Sequence, residues 1–365
     1  MFSNYIFSES FYANFSIYDT NQSFLTENGG SIDNLTIGYH TYGNYIPGQS
    51  KVVWVCHALT GNSDVFDWWS GIFGESKLFN PSEYFIICAN VIGSSYGSSG
   101  PISESQTGGI LNEKFPLVTS RDMAKVHDLL RKELSIDTID ILVGASLGGQ
   151  QALEWSIELK EKVKQLILIA TNAQHSPFGI AINESQRMAI QNDSTYGSGY
   201  LDDAKKGLEI ARSIAMISYR SYSGYGKTQK EDSNEKVDDF KASSYQRYQG
   251  EKLAKRFNAY AYETLSKAMD SHNVGRDRGG VIKALSYIKA NTLVIGIDSD
   301  LLFPISEQLF LKEHINAAYF KSISSDFGHD GFLVENEQLI EILDDFLNND
   351  FQKNRITVFK QKINN

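Results

Sequence analysis

Gly144, Ser146 and Gly148 form a G-x-S-x-G run inside IDILVGASLGGQQALEW, with strand-like residues before it and helix-like residues after it. Such a turn holds the serine in a strained conformation with Oγ presented, and the two glycines permit close backbone approach. The chemistry this suits is nucleophilic attack; a glycine-rich turn that cradles an anion is the competing use. A serine nucleophile needs a base, and the base needs an orienting carboxylate, in the chain order Ser, Asp or Glu, His. Asp300 in GIDSDLLFP follows the apolar run NTLVIGI, where a loop at a strand's carboxyl end aims side chains at the elbow. Asp298 is the rival, two residues earlier and closer to the strand itself. Of seven histidines only His314 and His329 follow Asp300. His314 lies in the helix-like PISEQLFLKEHI, whereas His329 sits beside Gly328 in the loop SSDFGHDGF, a suitable perch for a general base.

Acyl chemistry also needs donors for a developing oxyanion. One is the backbone N–H of the residue after the nucleophile, Leu147, and the other comes from a loop after an earlier strand. That loop is HALTGN, with Leu59 assigned as the donor and Thr60 or Ala58 as alternatives. On local sequence alone it reads equally well as a strand-ending turn.

The elements that must position these residues follow from the apolar pattern. The runs at 52–56, 84–90, 139–144 and 163–170 are apolar almost throughout, as strands buried on both faces are. Helical periodicity lies between them: Met123, Val126, Leu130 and Leu134 share one stripe of 120–134, and 147–159 starts directly after the elbow. Strands alternating with helices imply βαβ units and a doubly wound, mostly parallel sheet. Residues 5–45 carry turn signals such as Asn28-Gly29-Gly30 and predict antiparallel hairpins at the sheet's edge. From 175 to 285 the alternation breaks into helix-like stretches at 182–191, 200–221 and 245–270, which predicts a helical insertion. Within it 226–244 is charged and almost without large apolar residues, so a mobile loop is expected. Strands return at 291–297 and 317–323, and a helix over 337–349 closes the fold. The core is therefore 1–174 with 286–365, and the helical lid is 175–285.

Composition excludes several classes. The 365 residues, 41% hydrophobic and 21% charged, suit a globular chain with a large core. A net charge of −10 with no dense Lys/Arg run gives no electrostatic footprint for nucleic acid. Cys56 and Cys88 each end an apolar strand run and read as buried free thiols rather than a disulfide framework. No stretch approaches the roughly 20 apolar residues of a membrane span, and the N-terminus does not read as a signal peptide, so a cytoplasmic protein is expected.

Taken together, the chain resembles the homoserine O-acetyltransferase family, α/β-hydrolase-fold enzymes that acylate homoserine or serine. The resemblance rests on HALTGN at 57–62, CANVIGSSYGSSGP at 88–101, FPLVTSRDM at 115–123, GASLGGQQALEW at 144–155, INESQR at 182–187, SDLLFP at 299–304 and GHDGFL at 328–333. It implies an α/β-hydrolase fold and ping-pong transfer of acetyl from acetyl-CoA, through a Ser146 ester, to the homoserine hydroxyl in methionine biosynthesis. Acetyl-CoA would be a co-substrate, with no bound cofactor or metal. The family's triad aspartate falls in SDxLFP and maps to Asp300. An amino-acid acceptor is a zwitterion, so its pocket needs one cation and one anion. Arg212, in GLEIARSIAMISYRS, and Asp330, next to His329, fit those roles; Arg220 and, less well, Arg187 compete for the first. The resemblance also implies a homodimer paired through the helical insertion. Ser99, Ala145 and Leu147 depart from the usual threonine, glycine and methionine, but Leu147 contributes only its N–H. A serine acetyltransferase, a succinyl-CoA-dependent enzyme and an esterase share the same triad and are the alternatives; a scaffold that has lost the reaction is disfavoured by the complete triad.

Overall fold

The computed structural model describes residues 13–104 and 108–348. The chain opens with β1 (Ala13–Asp19), a small hairpin of β2 (Phe24–Leu25) and β3 (Ser31–Ile32), and β4 (Thr36–Tyr42). It then alternates through β5 (Lys51–Cys56), a short α1 (Val65–Trp68), β6 (Tyr84–Ala89), α2 (Ser120–Glu133), β7 (Ile139–Ala145), α3 (Leu147–Leu159) and β8 (Val163–Ile169). Helices alone follow: α4 (Pro177–Gln191), α5 (Lys205–Tyr219), α6 (Tyr222–Thr228), α7 (Lys241–Ala254), α8 (Ala259–Asp270) and α9 (Val281–Leu285). The last part runs through β9 (Asn291–Ile297), α10 (Ile305–His314), β10 (Ala318–Ile323), α11 (Gly331–Val334) and α12 (Asn336–Leu347).

The main sheet has the order β1-β4-β6-β5-β7-β8-β9-β10. From β6 to β10 every neighbour is parallel, while β4 runs antiparallel to β6 and β1 antiparallel to β4. The chain winds one way from β5 to β6 and then crosses back to β7, so the strand order reverses between β5 and β7. Their carboxyl ends border the crevice where ligands bind in such sheets. The turn containing Asn28-Gly29-Gly30 joins β2 to β3, a separate two-stranded antiparallel hairpin, while β1 and β4 form the antiparallel edge of the main sheet; residues 5–12 of that expectation lie outside the described residues.

Alternate side chains of β5 enter different apolar layers. Val52, Trp54 and Cys56 face the layer containing Met123 and Trp155, whereas Val53 and Val55 face the one containing Phe73 and Phe332. Burial on both faces is why this strand reads as an unbroken apolar run. Trp54 meets Trp155 edge to face at 4.8 Å, and truncating either costs about 3–5 kcal/mol. Both thiols are free and buried. In α2, Met123, Val126 and Leu130 are buried and Leu134 forms the C-cap. The helix starts at a capping box in which Thr119 accepts from Asp122 N and the Asp122 side chain accepts from Thr119 N, worth about 1 kcal/mol.

Two expectations need correction. The helix-like stretch at 245–270 is two helices, because Asn258 is extended (φ −93°, ψ 143°) and its side chain accepts from Tyr260 N and Ala261 N to start α8. The charged stretch at 226–244 is only partly a loop: its first residues end α6, its last begin α7, and 229–240 lies between them without helix or strand. Charge density suits an exposed helix face as well as a loop, and here Lys241 pairs with Asp232 at 2.8 Å.

Candidate active site

Ser146 leaves the end of β7 with φ 56° and ψ −125°, a strained backbone that turns directly into α3. The packing explains the flanking glycines: a Cβ at Gly144 would lie 2.2 Å from Gly148 O, and one at Gly148 would lie 2.0 Å from Cys56 O. The strained residue is held at both its polar backbone atoms. Ser146 N donates to Ile169 O (3.0 Å), and Ser146 O accepts from Thr171 Oγ1 (2.8 Å) and Gly149 N (2.9 Å).

Asp300 follows β9 and His329 follows β10, so the carboxyl ends of β7, β9 and β10, with β8 between the first two, deliver the three side chains. Asp300 Oδ1 accepts from Leu302 N (2.8 Å) and Phe303 N (2.9 Å), which aims Oδ2 at His329. His329 Nδ1–H donates to Asp300 Oδ2 at 2.7 Å, and Ser146 Oγ–H donates to His329 Nε2 at 2.9 Å. All three residues are 4% exposed. Phe303 stacks on the imidazole at 5.1 Å, Phe332 meets its edge at 5.6 Å and Tyr219 of α5 lies 5.7 Å away. Burial pulls the imidazole pKa down, but the charge and hydrogen bond of Asp300, with Asp330 adding to them, raise it above its ordinary value overall. The relay can take a proton from Ser146 and hold it as an imidazolium.

The rival residues are placed elsewhere. Asp298 accepts from Ser324 Oγ (2.8 Å) and Ser325 N (3.1 Å), bracing the turn after β10, and lines a polar cavity of about 500 Å³ that contains none of the three triad side chains. His314 donates from Nδ1 to Phe310 O within α10. Arg187 is buried against Asp270 (2.6 Å) and Glu184 (2.6 Å). Arg212 lies with its guanidinium 5.2 Å over the Tyr219 ring, on the triad's side of α5. Arg220 Nε lies 3.2 Å from Asp330 Oδ2, with its guanidinium over Phe327. The two arginines are therefore inequivalent: Arg220 is engaged by Asp330, while Arg212 has no carboxylate partner among the described residues.

Leu147 is the first residue of α3, and Leu59 lies in the turn 58–61, closed by Gly61 N donating to Ala58 O (2.9 Å). Among the described residues neither the Leu59 nor the Leu147 N–H has an acceptor. Further side chains around this site stand outside the assigned site residues, though His57 and Gln151 lie within HALTGN and GASLGGQQALEW. His57 is buried, and burial pushes it down to about 4; Nδ1–H donates to Ala58 O (2.9 Å) and Nε2 accepts from Val91 N (3.1 Å). Thr171 and Gln151 reach the elbow from positions that read simply as strand end and helix interior. The sequence signal for Gln151 was its place one turn after Leu147; Arg256 and Glu307 gave none. Glu307, at the start of α10, is pushed up to about 7 by burial, with the Asp300 charge adding to the rise and the nearby Asn172 side chain opposing it.

Among the described residues no group of three or more His, Cys, Asp or Glu is placed to hold a metal ion, and no helix is long and apolar enough to cross a membrane.

Comparison with known proteins gives the fold and the family. The family described as alpha/beta hydrolase fold matches residues 51–336. A homoserine O-acetyltransferase of Cyclobacterium marinum is 47% identical over 331 residues, covering 90% of this chain and 94% of its own. Among solved structures, a homoserine O-acetyltransferase from Staphylococcus aureus is 31% identical, with TM-score 0.76 over 92% of this chain and 95% of its own. An acetylester hydrolase from Corynebacterium glutamicum has TM-score 0.80 at 22% identity over the same two shares, a likeness of fold. By the serine elbow, by the fold and by relatives that match it nearly end to end, the chain belongs to the homoserine O-acetyltransferase family of the α/β-hydrolase fold.

Proposed function

We propose that this chain transfers an acetyl group from acetyl-CoA to the hydroxyl of L-homoserine, by way of a Ser146 ester, in methionine biosynthesis. The observation that carries the reading is the buried relay from Ser146 Oγ to His329 Nε2 (2.9 Å) and from His329 Nδ1 to Asp300 Oδ2 (2.7 Å), in a chain of this family.

In the first half-reaction Ser146 Oγ attacks the thioester carbonyl as its proton passes to His329 Nε2. The N–H groups of Leu59 and Leu147 receive the oxyanion, and the imidazolium returns the proton to the departing CoA thiolate. In the second, His329 takes the proton of the acceptor hydroxyl, whose oxygen attacks the ester carbonyl. Collapse of that intermediate breaks the bond to Ser146 Oγ, which regains its proton from His329. Asp300 stays ionised throughout and stabilises the imidazolium. Arg212, free of a carboxylate partner, takes the acceptor's carboxylate, and Asp330 takes its ammonium.

The helices of 175–285 act in this reading as a lid. Tyr219 of α5 lies against His329, and Ser146 and His329 are each only 4% exposed, which favours transfer to a bound hydroxyl over transfer to water. Two copies pair through this lid in the cytoplasm; Ile210 and Ile217, one face of α5, are 54% and 62% exposed.

The test is release of CoA thiol from acetyl-CoA and from succinyl-CoA, each with homoserine, serine or no acceptor, with the product identified by mass. Homoserine-dependent release with acetylhomoserine formed is the expected result. Succinyl transfer or serine acetylation moves the donor or acceptor assignment, and equal release without acceptor makes the chain a hydrolase.

A further inference from the structure

The Leu59 N–H belongs to a turn whose own backbone contributes one hydrogen bond, Gly61 N to Ala58 O. A donor aimed at a transition state has to be held more firmly than that, since its value lies in needing no reorganisation. Side chains from outside the turn supply the difference, each on a different peptide. A trans peptide fixes its N–H opposite its C=O, so whatever pins the Ala58 carbonyl also sets the direction of Leu59 N–H. The His57 imidazole does this from Nδ1 (2.9 Å), while its Nε2 is anchored on Val91 N.

The His57–Ala58 and Thr60–Gly61 peptides, on either side of the Ala58–Leu59 peptide, are held from α3 and from the α7–α8 connection. Gln151 of α3 is fully buried, and its Nε2 donates both to His57 O (3.1 Å) and to Leu147 O (3.2 Å). Its Oε1 accepts from His127 Nε2 (3.0 Å), an imidazole kept neutral by burial, so the amide has one orientation. One side chain thereby spans the gap between the loop that carries one oxyanion donor and the elbow that carries the other. On the outer side Arg256, in the connection between α7 and α8, donates from Nη1 to Thr60 O (2.7 Å) and to Tyr96 Oη (2.6 Å). This contact joins residues 196 positions apart, the helical segment after β8 and the loop after β5.

We infer that Gln151 and Arg256 are positioning residues of the oxyanion hole: Gln151 sets the distance between its two donors, and Arg256 makes the seating of the Leu59 turn depend on docking of the α7–α8 connection. The inference rests on the acyl-enzyme reading above, but the two fail differently.

Methylboronic acid separates them. Its trigonal boron accepts Ser146 Oγ, the serine proton passes to His329, and the tetrahedral adduct places an oxygen where the oxyanion would sit. The experiment measures methylboronate affinity, the burst rate with acetyl-CoA and with p-nitrophenyl acetate, the KM for homoserine and the melting temperature. Arg256→Met is expected to slow both bursts about tenfold and weaken methylboronate by the same factor, the loss of one charge-assisted brace, while the homoserine KM changes less than about twofold. Arg256→Lys recovers part of both losses. Gln151→Met should lower both together, and Gln151→Glu, which sets a carboxylate against two carbonyls, should lower them further; if the Gln151 variants do not fold, the Arg256 pair decides. A wild-type burst rate in Arg256→Met overturns the inference, as does a slowed burst with undiminished methylboronate affinity. A wild-type chain that binds methylboronate but shows no burst overturns the acyl-enzyme reading instead, and the affinities alone then judge the brace.

Discussion

Asp300 divides its work between two oxygens, Oδ1 fixed by two backbone amides and Oδ2 facing His329. Asp300→Asn keeps the shape and removes the charge that raises the His329 pKa. Since His329 acts as a base only when neutral, the acid limb of kcat/KM in the wild type should lie above the ordinary histidine value. In Asp300→Asn that limb should move to lower pH while kcat falls by about 10³–10⁴, as a pH–rate series would show. Glu307 makes the opposite kind of prediction. Its pKa rises from 4.5 to about 7 on folding, so the native state binds the extra proton and stability is lost as pH climbs through that interval. Glu307→Gln should therefore melt higher than wild type at pH 8 and show little gain at pH 4.5. Arg212→Ala should raise the acceptor KM about tenfold or more and leave the acylation burst unchanged; an unchanged KM would remove Arg212 from the pocket. Ser146 and His329 stand out in the sequence by chain order and loop context, while Asp300 is settled over Asp298 only by the family likeness; the structure brings the three side chains within hydrogen-bond distance. The pairings of Arg220 with Asp330 and of Arg187 with Asp270 were not legible, since three arginines in helix-like sequence look alike until carboxylates from other parts of the chain engage two of them.

Elements place these residues by fitting tightly against one another, most clearly where the α5–α6 junction meets the turn that carries His329. Gly328 has φ 62°, and a Cβ there would lie 2.9 Å from Tyr219 O and 3.0 Å from Ser221 N. A Cβ at Gly224 would lie 2.3 Å from Asp326 O, which also accepts from Ser221 Oγ, while Lys227 pairs with the Asp326 carboxylate. Gly224→Ala should push α6 off this turn, costing about 1–3 kcal/mol of stability in a denaturant melt and lowering kcat through His329. The central parallel strands were readable to within a residue or two, because burial on both faces leaves a nearly continuous apolar run, while the edge strand β10, partly exposed, leaves a broken one. The break between α7 and α8 was hidden: an asparagine inside a helix-periodic stretch is read as interior until its side chain is seen capping the next helix.

At the scale of the whole molecule the alternation of strands and helices gave a parallel sheet but not its strand order, because order is decided by which way each crossover turns. The elbow motif and the family likeness pointed to the α/β-hydrolase fold, and the order itself came from the structure. If the lid mediates pairing, Ile210→Asp with Ile217→Asp should shift sedimentation from dimer to monomer while the methylboronate site is retained. Assembly of the site also has a timing. Ser146 Oγ and His329 Nε2 are 183 positions apart, with all the helices between β8 and β9 made in the interval. On the acyl-enzyme reading, a growing chain thus completes the segment that bears its nucleophile long before it has a base to activate it. In that reading the serine is an ordinary alcohol during synthesis, and it gains its base only when the strands that carry Asp300 and His329 have joined the sheet.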